Sequence, residues 1–123
     1  MATQFRPTGE FAKFIAEESL SVGDVICLGS SDNGVVKADA SDLLRMPAIG
    51  FVKSIRGSNC IVQLSYIISL GSLIRGAEYF VSTSGGITKD PELSADGYMV
   101  QRMGKAINSN QLLINVESQI IFL

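Results

Sequence analysis

The chain has 123 residues, 46% of them hydrophobic and only 18% charged, with a formal net charge of −2. That is enough apolar material for one packed core in a single domain, and the singly scattered Lys and Arg offer no basic cluster to a nucleic acid or an anionic membrane. His and Trp are both absent, which removes the usual Ser–His and Cys–His catalytic pairs, His-ligated metals and the strongest aromatic platform for sugars. No cationic stretch followed by an apolar run opens the chain, so no secretory signal is expected. The apolar runs also fall short of the roughly 18 residues that a membrane helix needs. The low charge leaves two readings open: a surface covered by partner subunits, or a tightly packed β domain with a Ser/Thr/Asn-rich exterior.

Taken in order, residues 1–9 (MATQFRPTG) read as an extended segment broken by Pro7 and Gly9, with Phe5 as an anchor, opening an N-terminal arm over 1–19. Glu10–Ser19 fits two templates. Phe11, Phe14 and Ile15 have helical spacing, while Phe11, Lys13 and Ile15 alternate with Ala12, Phe14 and Ala16 as a strand would. Its place directly before a β-module favours the strand.

From Leu20 the chain reads as one β domain over 20–123. Leu20–Lys37 (LSVGDVICLGSSDNGVVK) predicts a strand, a tight turn and a returning strand, because Asn33 and Gly34 tolerate the positive φ of hairpin turns. Asp39–Met46 reads as a connection with one helical turn capped by Asp39 or Ser41, ended by Pro47. A strand over Ala48–Ser54, a turn over Ile55–Asn59 and a long apolar strand over Cys60–Leu70 follow.

The pattern then returns. Leu73–Lys89 (LIRGAEYFVSTSGGITK) repeats the strand–turn–strand order, and Asp90–Gly97 answers the earlier connection. Tyr98–Asn108 carries Gly104 where the first copy has Gly50, and Ser109-Asn110 turns as Ser58-Asn59 does. The expected architecture is all-β, a compact sandwich or barrel of about eight to ten strands in two pseudo-repeated modules, 20–70 and 71–117. Each module is expected to bury one apolar face against the other. Gly50 and Gly104 mark mid-strand positions where a bulge, a bend or a close backbone approach is expected. An apolar tail, 118–123, ends Ile120-Ile121-Phe122-Leu123, and such a segment is sticky unless it docks on its own core or on another chain's sheet edge.

Candidate chemistry is sparse. Asp32-Asn33-Gly34 lacks the further alternating oxygen ligands of a calcium loop, and Ser84-Gly85-Gly86 lacks the Lys and helix of a phosphate loop. Asp39 with Asp42, and Glu17 with Glu18, read as turn, cap or solvated surface residues. Cys27 and Cys60 lie in apolar runs without metal or redox spacing and read as buried thiols made in a reducing compartment, though sequence leaves a disulfide open. No catalytic residue, metal site or cofactor is expected. The interface candidates are Phe5, Phe11, Phe14, Ile120, Ile121, Phe122 and Leu123.

The stretches Leu20–Val25, Val35–Ser41 and Pro47–Val52, continued by Leu73–Ser82, Gly85–Lys89 and Val100–Ala106, resemble small β-modules of tailed-bacteriophage virion proteins. Such modules occur in capsid decoration (cement) proteins and as appended domains of tail fibres and spikes. The resemblance rests on turn and packing signatures. It implies a non-enzymatic structural protein on the virion's capsid surface, synthesised in the host cytoplasm, whose partners are the major capsid protein and further copies of itself as a dimer or trimer. The sparse, scattered charge leads to the expectation of no nucleic-acid or membrane partner. The alternative the resemblance carries is a tail-associated β-module that binds a host receptor or glycan.

Overall fold

The structure, a computed structural model, describes residues 10–123. The fold is all-β. Twelve strands and one short 3-10 turn make up its regular structure, and no α-helix occurs among the described residues. The excess over the expected eight to ten strands comes from two long predicted strands that are each broken in two, and from the pairing of the tail.

Five strands close a barrel in the order β1 (Phe11–Ala16), β3 (Gly34–Lys37), β2 (Val25–Leu28), β4 (Ala48–Arg56), β5 (Asn59–Gln63) and back to β1. Phe11–Ala16 is therefore no arm. It runs antiparallel to β5 and parallel to β3, where Ile15 lies opposite Gly34. The parallel pair is possible because residues 17–33, with the whole of β2, intervene before the chain returns. Closure leaves this sheet without an open edge. Its interior is a small core of Ile26, Val35, Val52, Cys60 and Val62, completed by Phe14, Leu20, Ile49 and Leu64.

A second sheet has the order β6 (Tyr66–Ser69), β11 (Gln111–Ile114), β10 (Arg102–Asn108), β7 (Glu78–Val81), β8 (Ile87–Thr88). These strands stand in the same order as β1, β5, β4, β2 and β3 of the barrel. The bulges correspond as well. Ile49 is the extra residue between the pairs Ile26–Gly50 and Cys27–Ala48, and Met103 is the extra residue between Arg102–Phe80 and Gly104–Tyr79. Lys53 and Ile107 are skipped in the same way against β5 and β11. Gly50 and Gly104 each follow a bulge residue, and each lies against a cross-strand carbonyl, that of Gln63 or Leu113, where a Cβ would not fit.

The second sheet does not close, since β6 and β8 do not pair. Its inner face, with Tyr79, Val81, Met103 and Leu112, packs instead on the barrel's outer wall at Val25, Cys27 and Phe51 to form the larger core. Side chains alternate along a strand, so β2 and β4 feed both cores at once. The two halves are stitched by backbone. The Gly85 carbonyl accepts from Val25 at 2.8 Å and its N–H donates to Ala38 at 2.8 Å. Gly85 holds φ +80°, so it supplies this turn where a side chain would be strained.

Several local expectations are corrected. The 3-10 turn, Leu43–Arg45, is capped by Asp42, whose carboxylate accepts from the Leu44 amide at 2.9 Å, and not by Asp39 or Ser41. Asp39 instead accepts from the Ser41 amide, closing a side-chain turn of its own. The long strand expected over Cys60–Leu70 breaks before Tyr66, which sits at φ +75° and swings the chain from the barrel into the second sheet. The strand expected over Tyr98–Asn108 breaks at Gln101 into β9 (Met99–Val100) and β10. The strand β12 (Ile121–Phe122) pairs with β9 in a separate two-stranded ribbon.

Candidate interaction surfaces

The tail docks in cis, by backbone pairing with β9. Ile121 lies opposite Val100 and Phe122 opposite Met99; the Leu123 amide donates to Tyr98 at 2.9 Å, and the Leu123 carbonyl accepts from Gly97 at 3.0 Å. The tail's two strand side chains stay largely in solvent, on opposite faces of the ribbon: Ile121 is 62% exposed and Phe122 64%. Leu123 is also exposed, and Ile120 is half-buried. Beside the ribbon, Ile121 shares a groove of about 330 Å³ with Phe80 and Val100. Arg102 crosses this groove between Glu78 at 2.8 Å and Glu117 at 3.0 Å, and the two carboxylates hold its guanidinium above its ordinary pKa.

The aromatic candidates near the N-terminus separate. Phe11 is exposed on the barrel's outer wall, whereas Phe14 points inward and packs in the barrel core. Phe14 thus packs against the barrel core, because three steps along a strand reverse the face. Phe5 lies outside the described residues. Phe11 and the Ile121–Phe122 pair stand on different sheets, so the candidates do not form one patch built on a common sheet.

A second apolar site was not anticipated. Leu44, on the 3-10 turn, is 86% exposed, the highest value among the large apolar side chains of the described residues. With Leu28 and Val36 it borders a shallow groove of about 540 Å³, rimmed by Glu17, Asp42 and Arg45. The signal in the sequence was D-L-L-R, two leucines held between a capping Asp and a cation shortly before Pro47.

The rim is electrostatically firm. Glu17 accepts from the amides of Ser30 at 3.0 Å and Ser31 at 2.8 Å and from both hydroxyls. These hydrogen bonds, the Ser31 hydroxyl first, lower its pKa to about 2. Glu18 pairs with Arg45 at 2.8 Å, and that hydrogen bond lowers its pKa. Both acids fasten the end of β1 to neighbouring elements. Cys27 and Cys60 are free, buried thiols, one in each core.

Among the described residues no three His, Cys, Asp or Glu side chains gather as a metal site, and no helix is long and apolar enough to cross a membrane. Set against known protein families, curated proteins and solved structures, the chain matches none of them. The virion resemblance therefore stands on the quoted turn and packing residues alone.

Proposed function

We propose that this chain is a non-enzymatic virion structural protein that binds and stabilises an outer capsid lattice as a decoration protein. The observation that carries this reading is the terminal ribbon. Its backbone pairs with β9 of the same chain, yet Ile121 and Phe122 remain in solvent. Two large apolar side chains held on a paired strand are preorganised for a protein partner, since little conformational entropy is left to lose on docking. The exposed Leu44 turn gives a second apolar contact on another part of the body. Two or more separated contacts suit a protein that bridges neighbouring lattice subunits, where many modest contacts add by avidity. The rigid β body spaces those contacts.

The test is co-sedimentation with particles assembled from the major capsid protein encoded alongside this chain. Wild-type protein is expected to saturate the particles at lattice-scale copy number. Replacing Ile121 and Phe122 by Ser is expected to weaken binding at least about tenfold, with circular dichroism unchanged. Absence of particle binding together with saturable binding to a host glycan would replace this reading by the tail-module alternative.

A further inference from the structure

One part of the barrel wall carries cations and no acid. Strands β1, β4 and β5 are consecutive in the barrel wall; they carry Lys13, Lys53 and Arg56 and no Asp or Glu. All twelve acids of the chain lie elsewhere among the described residues. Those that border this wall in sequence are Glu10, one residue before β1, and Glu17 and Glu18 after it; the latter two are tied to Ser30, Ser31 and Arg45. Lys13, Lys53 and Arg56 have no carboxylate within salt-bridge distance among the described residues.

Register places the wall's outward residues together. Lys13 lies opposite Ile61, which lies opposite Ser54; Ile15 lies opposite Asn59, which lies opposite Arg56. Lys13, Arg56 and Ile61 accordingly line one depression of about 310 Å³, with the exposed Phe11 and Ile15 on the same strand face. The depression mixes Ile61 with the polar Ser54 and Asn59, and Lys13 and Arg56 flank it. Its complement is present on the same chain. The loop after β8 holds Leu93, 65% exposed, between Glu92 and Asp96, both exposed; Asp90 in the same loop is already paired with Lys89 at 3.0 Å.

We infer that copies of this protein associate head to tail, the Glu92–Asp96 loop of one copy seating Leu93 on the Lys13–Ile61–Arg56 wall of the next. The two surfaces are different, so the contact is heterologous, and repeating it generates a ring or a chain in place of a two-fold pair. Complementary charge sets the register of the contact and speeds encounter, while Phe11, Ile15, Ile61 and Leu93 supply the apolar burial. Two cations beside apolar side chains suit an acidic protein loop better than a phosphate backbone, which rewards a continuous basic track. This inference does not depend on the capsid reading.

The experiment is sedimentation velocity on the full chain, with two charge-reversed variants. One carries Lys13→Glu and Arg56→Glu, making wall and loop both acidic. The other carries Glu92→Lys and Asp96→Lys, making both basic. Wild-type protein is expected to associate at low ionic strength, with at least about tenfold weaker association once salt shortens the Debye length to a few Å. Each variant alone is expected to be monomeric with an unchanged circular dichroism spectrum. An equimolar mixture is expected to associate again, because each variant's wall then meets the other's loop. A monomeric wild type at low salt overturns the inference. So does a mixture of folded variants that stays monomeric, or wild-type assembly that both variants retain. If the wall instead binds duplex DNA or anionic vesicles and the mixture fails to associate, the occupant is not a second copy and the inference falls.

Discussion

The side chain of Gln101 treats Ala48 as a neighbouring strand would. Its Oε1 accepts from the Ala48 amide at 2.8 Å and its Nε2 donates to the Ala48 carbonyl at 3.0 Å, while Nε2 also donates to the Glu117 carbonyl at 2.9 Å. Gln101 is 1% exposed and lies where the second half of the chain meets the start of β4. A carboxamide is the side chain that offers both a donor and an acceptor in this spacing.

Replacing Gln101 by Leu keeps the volume but strands the Ala48 amide and two carbonyls in the core. The expected loss is about 2–4 kcal/mol by urea denaturation, since each buried unpaired polar group costs roughly 1–3 kcal/mol. Gln101→Glu is expected to be worse at neutral pH, because a carboxylate cannot donate to either carbonyl. A loss below about 0.5 kcal/mol in the Leu variant would show that the bridge is not a structural joint.

Gly50 and Gly104 give a paired test. A Cβ at Gly50 would stand 2.6 Å from the Gln63 carbonyl oxygen, and one at Gly104 would collide still more closely with that of Leu113. Backbone on a partner strand cannot rotate away. Gly104→Ala is expected to cost about 3 kcal/mol and Gly50→Ala about 2 kcal/mol in thermal or urea unfolding. Gly71→Ala is the control, because nothing lies within 4 Å of its Cβ position.

Glu17 predicts an acid response. Its pKa is lowered from 4.5 to about 2 by the hydrogen bonds of Ser31 and Ser30. A depressed carboxylate contributes stability that is complete above its unfolded value and is lost as pH falls through its folded value. Wild-type protein should therefore lose this contribution between about pH 4.5 and 2. Glu17→Gln should be less stable than wild type at neutral pH, and the two curves should converge near pH 2. Parallel curves across that window would remove Glu17 as the clasp on the β2–β3 turn.

The two thiols report on the two cores. Burial pushes the Cys27 thiol up to about 11 and raises that of Cys60 as well. Neither is expected to react with a disulfide reagent in the native protein at neutral pH, and both should label on unfolding. Cys60 sits in the small barrel core and Cys27 in the shared core. Labelling of Cys27 ahead of Cys60 would show the second sheet lifting off before the barrel opens.

Much of the fold follows from local pattern. Asp32-Asn33-Gly34 reads as a hairpin turn and is one, with Asn33 at φ 60°. Ser84-Gly85-Gly86 turns the second hairpin, and Ser58 and Ser109 both lie in two-residue turns between paired strands. The mid-strand glycines fall beside bulges because a crowded carbonyl needs the missing Cβ. The candidate interface was legible in part. Ile121 and Phe122 are exposed, but Phe14 is half-buried against the barrel core and Leu44 stands in solvent, since exposure depends on which face of a strand the register turns outward.

Alternation and turn residues were therefore enough to determine that this chain is a β protein, its strands falling in two successive runs. Those signals act over a few residues, so they survive in any arrangement of the strands. Only the tertiary structure decided that the first run closes through a parallel β1–β3 pair while the second stays open on the barrel's outer wall. That choice rests on contacts across tens of residues: Gly85 inserted between Val25 and Ala38, Gln101 bridging to Ala48, and a core shared by both halves. It is also what turns Lys13, Ile61 and Arg56, distant in sequence, into one cationic wall.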